Sequence, residues 1–186
     1  MPQTMGTSQD VVAFLKEQHE QIKAMFQQVA DTAGEDREKA FLQLRRLLAV
    51  HETAEEEIVH PLAREALAER GPAVVAERLE EERRAKEVLR DLEDLGVDTA
   101  EFGALFDELR GAVLAHAEAE EQQEFAALAR ELDDAELQRT RRAVEFAEKT
   151  APTRPHPGVE SAVGNMVVGP FAMMLDRARD AISGKG

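Results

Sequence analysis

The sequence contains no cysteine, no tyrosine and no tryptophan among its 186 residues. The lack of cysteine excludes disulfide bonds and thiolate metal sites, and it agrees with a reducing compartment, so we expect a cytoplasmic protein. The lack of tyrosine and tryptophan excludes a mechanism that needs a tyrosyl radical or an aromatic electron relay. No apolar run approaches the roughly 20 residues of a membrane span, and the N-terminus lacks the basic and apolar segments of a signal peptide.

Positive charge is also scarce. The chain carries 38 acidic against 23 basic residues, a formal charge of −15 at pH 7. Such a chain repels the phosphates of nucleic acids and the headgroups of anionic lipids, so we expect neither nucleic acid nor membrane among its partners. Part of the acidic excess could instead serve a bound cation, although helical proteins often carry surplus glutamate on solvated faces.

Alanine, glutamate, leucine and arginine dominate the sequence, which predicts an all-α protein. Seam residues recur at alternating steps of three and four in successive segments, as in the contact faces of a helical bundle. We therefore predict an antiparallel up-down-up-down four-helix bundle with a shorter fifth helix to about Thr150. The predicted helix boundaries lie at Ser8, Asp31–Gly34, Pro61, Gly71–Pro72, Gly96–Asp98 and Asp133–Asp134.

The chain is expected to divide into three parts. The bundle and the fifth helix form the first, 1–150, and a linker rich in proline and glycine the second, 151–169. The last, 170–186, shows an apolar stripe at helical spacing and predicts an amphipathic helix docked on the bundle. Within the bundle, Pro61 should kink or end the second helix, because proline removes a helical hydrogen bond.

One motif occurs twice. The second helix contains His51-x-x-x-Glu55-Glu, and the fourth contains His116-x-x-x-Glu120-Glu. A histidine and a glutamate four residues apart lie on one face of a helix, about one turn from each other. Two such pairs on two helices could place four metal-ligating side chains around one point.

The first and third helices each add one polar seam residue, His19 and Glu82 respectively. Leu79 belongs to the predicted apolar face of the third helix, and Glu82 follows it by three residues. A lone seam histidine is usually a satisfied core residue. A buried carboxylate without a partner, however, costs roughly several kcal/mol, and the seams offer few Arg or Lys partners. We therefore expect a bound cation. Its predicted ligands are His19, His51, Glu55, Glu82, His116 and Glu120.

Imidazole and carboxylate ligands without thiolate suit iron, manganese or zinc, and six ligands on four helices suit two ions bridged by carboxylates. His60 lies nine residues after the ligand histidine of its helix, so we expect it on the outer face, near Glu56. Glu56, Glu81 and Glu121 are expected to lie at the surface or to support the ligands. His156, between prolines, is not expected to bind metal.

These residues resemble the haemerythrin-like proteins of the HHE cation-binding family. The resemblance rests on the seam histidine of the first helix, the doubled His-x-x-x-Glu-Glu motif and the lysine-containing third helix, and it spans about residues 8–150. The tail, with Pro152–Pro157, Asn165–Phe171 and Asp176–Asp180, is similar to the tails of actinobacterial members. The resemblance implies a non-haem di-iron centre with an oxo or hydroxo bridge and an open position for O2, H2O2 or NO.

The third helix departs from the family. Oxygen-carrying haemerythrins have two histidines there, a helical turn apart, whereas this chain has Glu82 between Arg78 and Lys86, which cannot serve as ligands. A carboxylate in place of an imidazole adds negative charge, which favours Fe(III) and lowers the redox potential. We therefore expect redox processing of O2, peroxide or NO in a stress or redox role.

Other functions stay open from the sequence. They are a reversible O2 or NO carrier or sensor without turnover, a di-iron oxidase, and an iron buffer. If the protein is an enzyme, we expect a peroxide-decomposing reaction of the catalase or peroxidase kind, or NO reduction. An unknown reductase would then be a partner, and the protein would be a monomer or a homodimer.

Overall fold

A computed structural model describes residues 10–151, and all regular secondary structure in this range is helical. In chain order the elements are α1 (Val11–Asp31), α2 (Gly34–Ala54), a first π turn (Glu55–Val59), α3 (His60–Ala66), a short 3-10 helix (Ala68–Arg70), α4 (Gly71–Glu93), α5 (Ala100–Glu120), a second π turn (Glu121–Phe125), α6 (Ala126–Glu131) and α7 (Asp134–Thr150). The predicted start of the first helix at Ser8 and the predicted C-terminal helix, 170–186, lie outside the described residues, as does nearly all of the predicted linker.

Four long helices form the bundle. Two of them are continuous segments that include the π turns: 34–66 runs from α2 to α3, and 100–131 runs from α5 to α6. The other two are α1 and α4; α1 packs on α2, and α4 packs on α5 and on α3. Short connections reverse the chain between them, and α7 packs beside α1 and α2. The predicted all-α bundle with a fifth helix is therefore confirmed.

Two helix starts follow from local capping. Asp10 accepts a hydrogen bond from the backbone N–H of Ala13 at 2.8 Å and begins α1. Asp133 and Glu136 form a reciprocal capping box at the start of α7, as the predicted boundary at Asp133–Asp134 requires. Each such cap satisfies backbone N–H groups that have no partner inside the helix.

The cap of the fourth helix lies one residue after the predicted boundary at Gly96–Asp98. Thr99, and not Asp98, caps α5 through the backbone N–H of Phe102. The Asp98 carboxylate instead accepts a hydrogen bond from the backbone N–H of Gly34 at 3.0 Å and pairs with Arg37. Asp98 thus ties the loop before α5 to the first turn of α2.

Pro61 does not end its helix, because helical structure continues to Ala66. The proline follows directly on the π turn Glu55–Val59 and occupies the first turn of α3, where a missing N–H is tolerated. The second π turn, Glu121–Phe125, contains no proline. The π turns therefore belong to the bundle and are not simply a consequence of Pro61.

The hydrophobic core consists of two clusters. The first contains Phe26, Phe41, Leu44, Phe102 and Leu109 among others, and the second contains Leu15, Val59, Phe125, Leu128 and Val144 among others. The predicted seam of the third helix is wrong at Leu79, which is 39% exposed, while the neighbouring Arg78 is buried. Within residues 10–151 no helix is long and apolar enough to cross a membrane.

The corner between α3 and α4 allows a test of the fold. A Cβ on Gly71 would lie 2.0 Å from the backbone carbonyl oxygen of Arg64, so Gly71→Ala should lower the free energy of unfolding by about 1–3 kcal/mol or more. Gly103 lies inside α5, and a Cβ there would meet nothing within 4 Å. Gly103→Ala should raise the free energy of unfolding by about 0.5–1 kcal/mol. Urea unfolding of the metal-free protein measures both free energies. If both substitutions change the free energy of unfolding equally, the close packing of Gly71 against Arg64 is contradicted.

Candidate metal centre

A layer of buried polar side chains lies between the two apolar clusters. His19, Glu82 and the His51/Glu55 and His116/Glu120 pairs all project into it, and each is at most 7% exposed. The alternating 3/4 seam explains this placement, because it carries these residues along the same inward face as the apolar side chains. The structure thus brings all six sequence-predicted ligands to one level of the bundle; their binding of metal stays a prediction.

The two duplicated pairs meet around their carboxylates. His51 Nε2 lies 3.2 Å from Glu55 Oε2, and His116 Nε2 lies 3.3 Å from Glu120 Oε1. His19 joins the two pairs, since its Nε2 is 3.8 Å from Glu55 Oε1 and 3.5 Å from Glu120 Oε2. The two carboxylates are therefore central, with imidazole nitrogens around them.

In the described part of the chain, potential ligand atoms form four overlapping groups, each with its atoms within 4.8 Å of one another. The groups are His19/His51/Glu55, Glu55/His116/Glu120, Glu52/Glu82/His116 and His60/Glu82/Glu120. Four residues occur in two groups each: Glu55, Glu82, His116 and Glu120. Overlapping groups that share carboxylates suit two neighbouring ions better than one isolated ion.

His60 corrects the sequence prediction. It was expected on the outer face, but it is 1% exposed and its Nε2 lies 2.6 Å from Glu82 Oε1. In a regular α-helix, two residues nine positions apart point about 180° away from each other around the helix axis. A π turn accommodates one extra residue, so the angle between His51 and His60 falls to that of eight residues, about 80°. The π turn between His51 and His60 therefore brings both imidazoles to the interior.

Sequence reasoning also missed Glu52 and Glu124. Glu52 Oε2 lies 3.8 Å from His116 Nε2. Glu124 lies within the second π turn and is fully buried against His60. Apolar neighbours of His60, Val59 and Leu62, were the one available sign that it faces inward. No comparable pattern marks Glu52, which stands beside a ligand histidine on a helix with charged residues on several faces.

Each buried histidine is held at its Nδ1 atom. His19 Nδ1 bonds Glu121 at 2.9 Å, His116 Nδ1 bonds Glu81 at 2.8 Å, and His60 Nδ1 bonds Glu124 at 2.9 Å. Such bonds orient the ring and increase its basicity. They leave the Nε2 atoms of His19 and His116 for a metal, whereas His60 Nε2 contacts Glu82.

The fourth histidine, His51, has an amide partner instead, and its Nδ1 lies 2.9 Å from Gln18 Oε1. Glu56 has a different role, since it pairs with Lys86. Lys86 also approaches Glu82, with its Nζ 3.8 Å from Glu82 Oε2.

Several buried atoms of the layer have no hydrogen-bond partner. They are His19 Nε2, His116 Nε2, Glu82 Oε2, and both carboxylate oxygens of Glu55 and of Glu120. Buried polar groups without partners are rare and costly, and seven such atoms facing one another are what a metal ion would satisfy. The donor set, imidazole and carboxylate, also fits iron, manganese or zinc. The residues present therefore fit the expected metal.

In the metal-free protein, protons compensate part of this charge. Burial lowers the pKa of His19, but its contacts with Glu120 and Glu55 raise the pKa to about 11. Burial also lowers the pKa of His116, but Glu120 raises it to about 11. For His60, contacts with Glu124 and Glu82 outweigh burial and raise the pKa to about 12.

Burial favours the neutral form of three other members of the layer, whereas contacts with His116 and His19 lower the pKa of Glu120 and keep it ionised. Burial and the nearby His19 lower the pKa of His51 to about 3, so this imidazole is neutral at pH 7. Burial and the charge of Glu120 raise the pKa of Glu55 to about 8. Burial also raises the pKa of Glu82.

A helical bundle with a buried layer of histidine and carboxylate ligands defines a class of non-haem metal-binding proteins. The sequence model of the haemerythrin HHE cation-binding domain matches residues 10–149. The chain therefore belongs to the haemerythrin HHE cation-binding family, whose domain binds metal cations.

The fold also matches a solved structure. It is a haemerythrin HHE cation-binding-domain-containing protein from Mycobacterium kansasii, with a TM-score of 0.66 and 22% sequence identity. The match covers 91% of this chain and 98% of the other. At this identity the likeness supports the fold alone. A comparison with curated proteins finds no significant match.

Metal binding should release protons. At pH 7 the raised pKa values keep His19, His60 and His116 protonated in the metal-free protein, and an imidazole must lose its Nε2 proton to bind a metal. Apparent affinity for Zn(II) or Fe(II) should therefore rise between pH 6 and pH 8. Anaerobic calorimetry in two buffers of different ionisation enthalpy measures the released protons. Affinity that is independent of both pH and buffer would contradict this protonation of the centre.

Proposed function

We propose that the chain holds two iron ions and uses them to process O2, peroxide or NO. The observation that carries the proposal is the set of overlapping ligand groups around Glu55 and Glu120, whose four carboxylate oxygens have no other partner. Their central position suits carboxylates shared between two ions. One ion would take His19, His51 and Glu55, and the other would take Glu82, His116, Glu120 and His60.

A small cavity next to the ligands supports small molecules as the substrates. It lies between α1 and α5 and is lined by apolar side chains, Ile22, Val113 and Leu114, together with ligand histidines such as His19 and His116. Polar side chains, including His51, Glu52 and Glu120, line the rest of the cavity, and its small volume admits only molecules of a few atoms. This space suits O2, NO or H2O2 better than an organic substrate.

The position of Glu82 favours redox turnover over reversible carriage. Its carboxylate lies in the ligand layer, 2% exposed, at the third-helix position where the family's oxygen carriers have imidazole. Iron would supply one-electron chemistry between its ferrous and ferric states. The additional negative charge of Glu82 favours the ferric state, and Lys86, with its Nζ 3.8 Å away, offsets only part of it.

Ligand substitutions test the metal assignment. Glu82→Ala, His116→Ala and His60→Ala should each reduce the iron content of reconstituted protein below two ions per chain, because each removes a ligand from the second ion. Glu118→Ala is a matched control on α5, since Glu118 is exposed and faces away from the layer. Iron analysis measures the content and circular dichroism checks the fold. Two irons retained in all three variants would show that the ligand assignment is wrong.

Exposure of reduced protein to air separates turnover from carriage. We expect rapid autoxidation, with consumption of added peroxide, because the carboxylate-rich centre favours Fe(III). Glu82→His should raise the reduction potential and slow autoxidation, since it removes one negative charge. Absorption spectra and a peroxide electrode follow both reactions. A stable oxygenated spectrum that reverses under vacuum would support an O2 carrier instead.

A further inference from the structure

The fifth helix reaches the metal centre through two side chains. α7 lies outside the four-helix bundle, against α1, α2 and the first π turn. Its Glu148 accepts a hydrogen bond from Gln18 Nε2 at 2.7 Å, and Gln18 Oε1 lies 2.9 Å from His51 Nδ1. Gln18 is 9% exposed and stands directly before His19 on α1. A chain of two hydrogen bonds therefore connects α7 to a candidate ligand.

Hydrogen-bonding capacity determines the direction of this chain. Gln18 Nε2 can only donate, so it must face the Glu148 oxygen, which accepts. Gln18 Oε1 then faces His51 and can only accept, so the His51 Nδ1 atom must carry the proton. With the proton on Nδ1, the Nε2 lone pair of the imidazole is left toward Glu55, 3.2 Å away, where a metal would bind. The acceptor on α7 thus selects the tautomer that ligation requires.

His51 differs from the other buried histidines in needing this second link. His19, His60 and His116 each donate from Nδ1 to a carboxylate, which can only accept when ionised. The amide of Gln18 has a donor end and an acceptor end, and a rotation of 180° would exchange them. Glu148 prevents that rotation.

We propose that Glu148 is a positioning residue of the metal centre: it fixes the Gln18 amide, and thereby the tautomer of His51. Metal binding would then depend on the docking of α7, although no residue of α7 is a ligand. The effect on metal affinity rests on the proposed function. The effect on the tautomer does not, because it is a property of the metal-free protein.

Substitutions at residue 148 can reverse or preserve the link. Glu148→Lys places a donor where the acceptor stood, so the Gln18 amide should rotate and donate to His51 Nδ1, which moves the ring proton to Nε2. Glu148→Gln keeps an acceptor oxygen and should retain the original arrangement. Glu145→Lys is the charge-matched control, since Glu145 lies one turn earlier on α7 and pairs with Arg141.

Two measurements decide the proposal. Nitrogen-15 NMR of the metal-free protein reports the tautomer of His51, and Fe(II) or Zn(II) titration reports affinity. We expect Glu148→Lys to convert His51 to the Nε2–H form and to weaken metal binding about 10–100-fold, the range typical for lost partners of ligand histidines. Glu148→Gln and Glu145→Lys should keep the Nδ1–H form and near wild-type affinity.

The alternatives give different results. If His51 keeps the Nδ1–H form in Glu148→Lys, the proposal is wrong. Equal losses of affinity in Glu148→Lys and Glu145→Lys would also overturn it, because charge alone would then explain the effect. Glu148→Ala serves if the lysine variant unfolds, and it should give a mixture of both tautomers. A wild-type protein that binds no metal would refute the proposed function, and the NMR result would still decide the role of Glu148.

Discussion

The burial of carboxylates at one level of the bundle is the constraint on which the rest of the structure depends. Glu55 and Glu120 are fully buried, and none of their four oxygens has a hydrogen-bond partner. Such groups are costly unless a cation or protons compensate them. In the metal-free protein, the neighbouring carboxylates raise the pKa values of His19 and His116, which favours compensation by protons. A metal would replace these protons, and the apolar clusters on both sides supply the stability that the polar layer cannot.

The π turns adapt a duplicated sequence to an asymmetric site. The first begins at Glu55, the last residue of its His-x-x-x-Glu motif, and the second begins at Glu121, one residue after its motif. Both rotate the residues after them relative to an ideal α-helix. In the first half the rotation brings His60 inward, and in the second half Glu124 lies opposite it. His60 thereby contributes an imidazole next to Glu82, the position where the family's oxygen carriers have histidine. The third helix thus supplies a carboxylate to the layer, and the second supplies the imidazole beside it.

A shell of hydrogen bonds joins the candidate ligands to the surrounding helices. Three of the four histidines that are buried within residues 10–151 are oriented by carboxylates from within the bundle. The fourth depends on an amide that is itself held by the fifth helix. Carboxylate partners increase the basicity of an imidazole more than an amide does. The surroundings of His51 therefore differ electronically from those of the other three histidines.

The sequence by itself determined the helical class, the bundle and the six residues that meet in its polar layer, because a seam of period 3.5 specifies which side chains face inward whatever the neighbouring helix. It also located the start of α7, since the capping box of Asp133 is local. Only the tertiary structure decided the inward position of His60, because a π turn changes the rotation of all residues after it and has no pattern of its own in the chain. The contacts of Glu124 with His60 and of Glu148 with Gln18 join residues 64 and 130 positions apart. Such pairs depend on which helices become neighbours and on how they are aligned along the bundle axis. The helical periodicity of a single segment specifies neither of these.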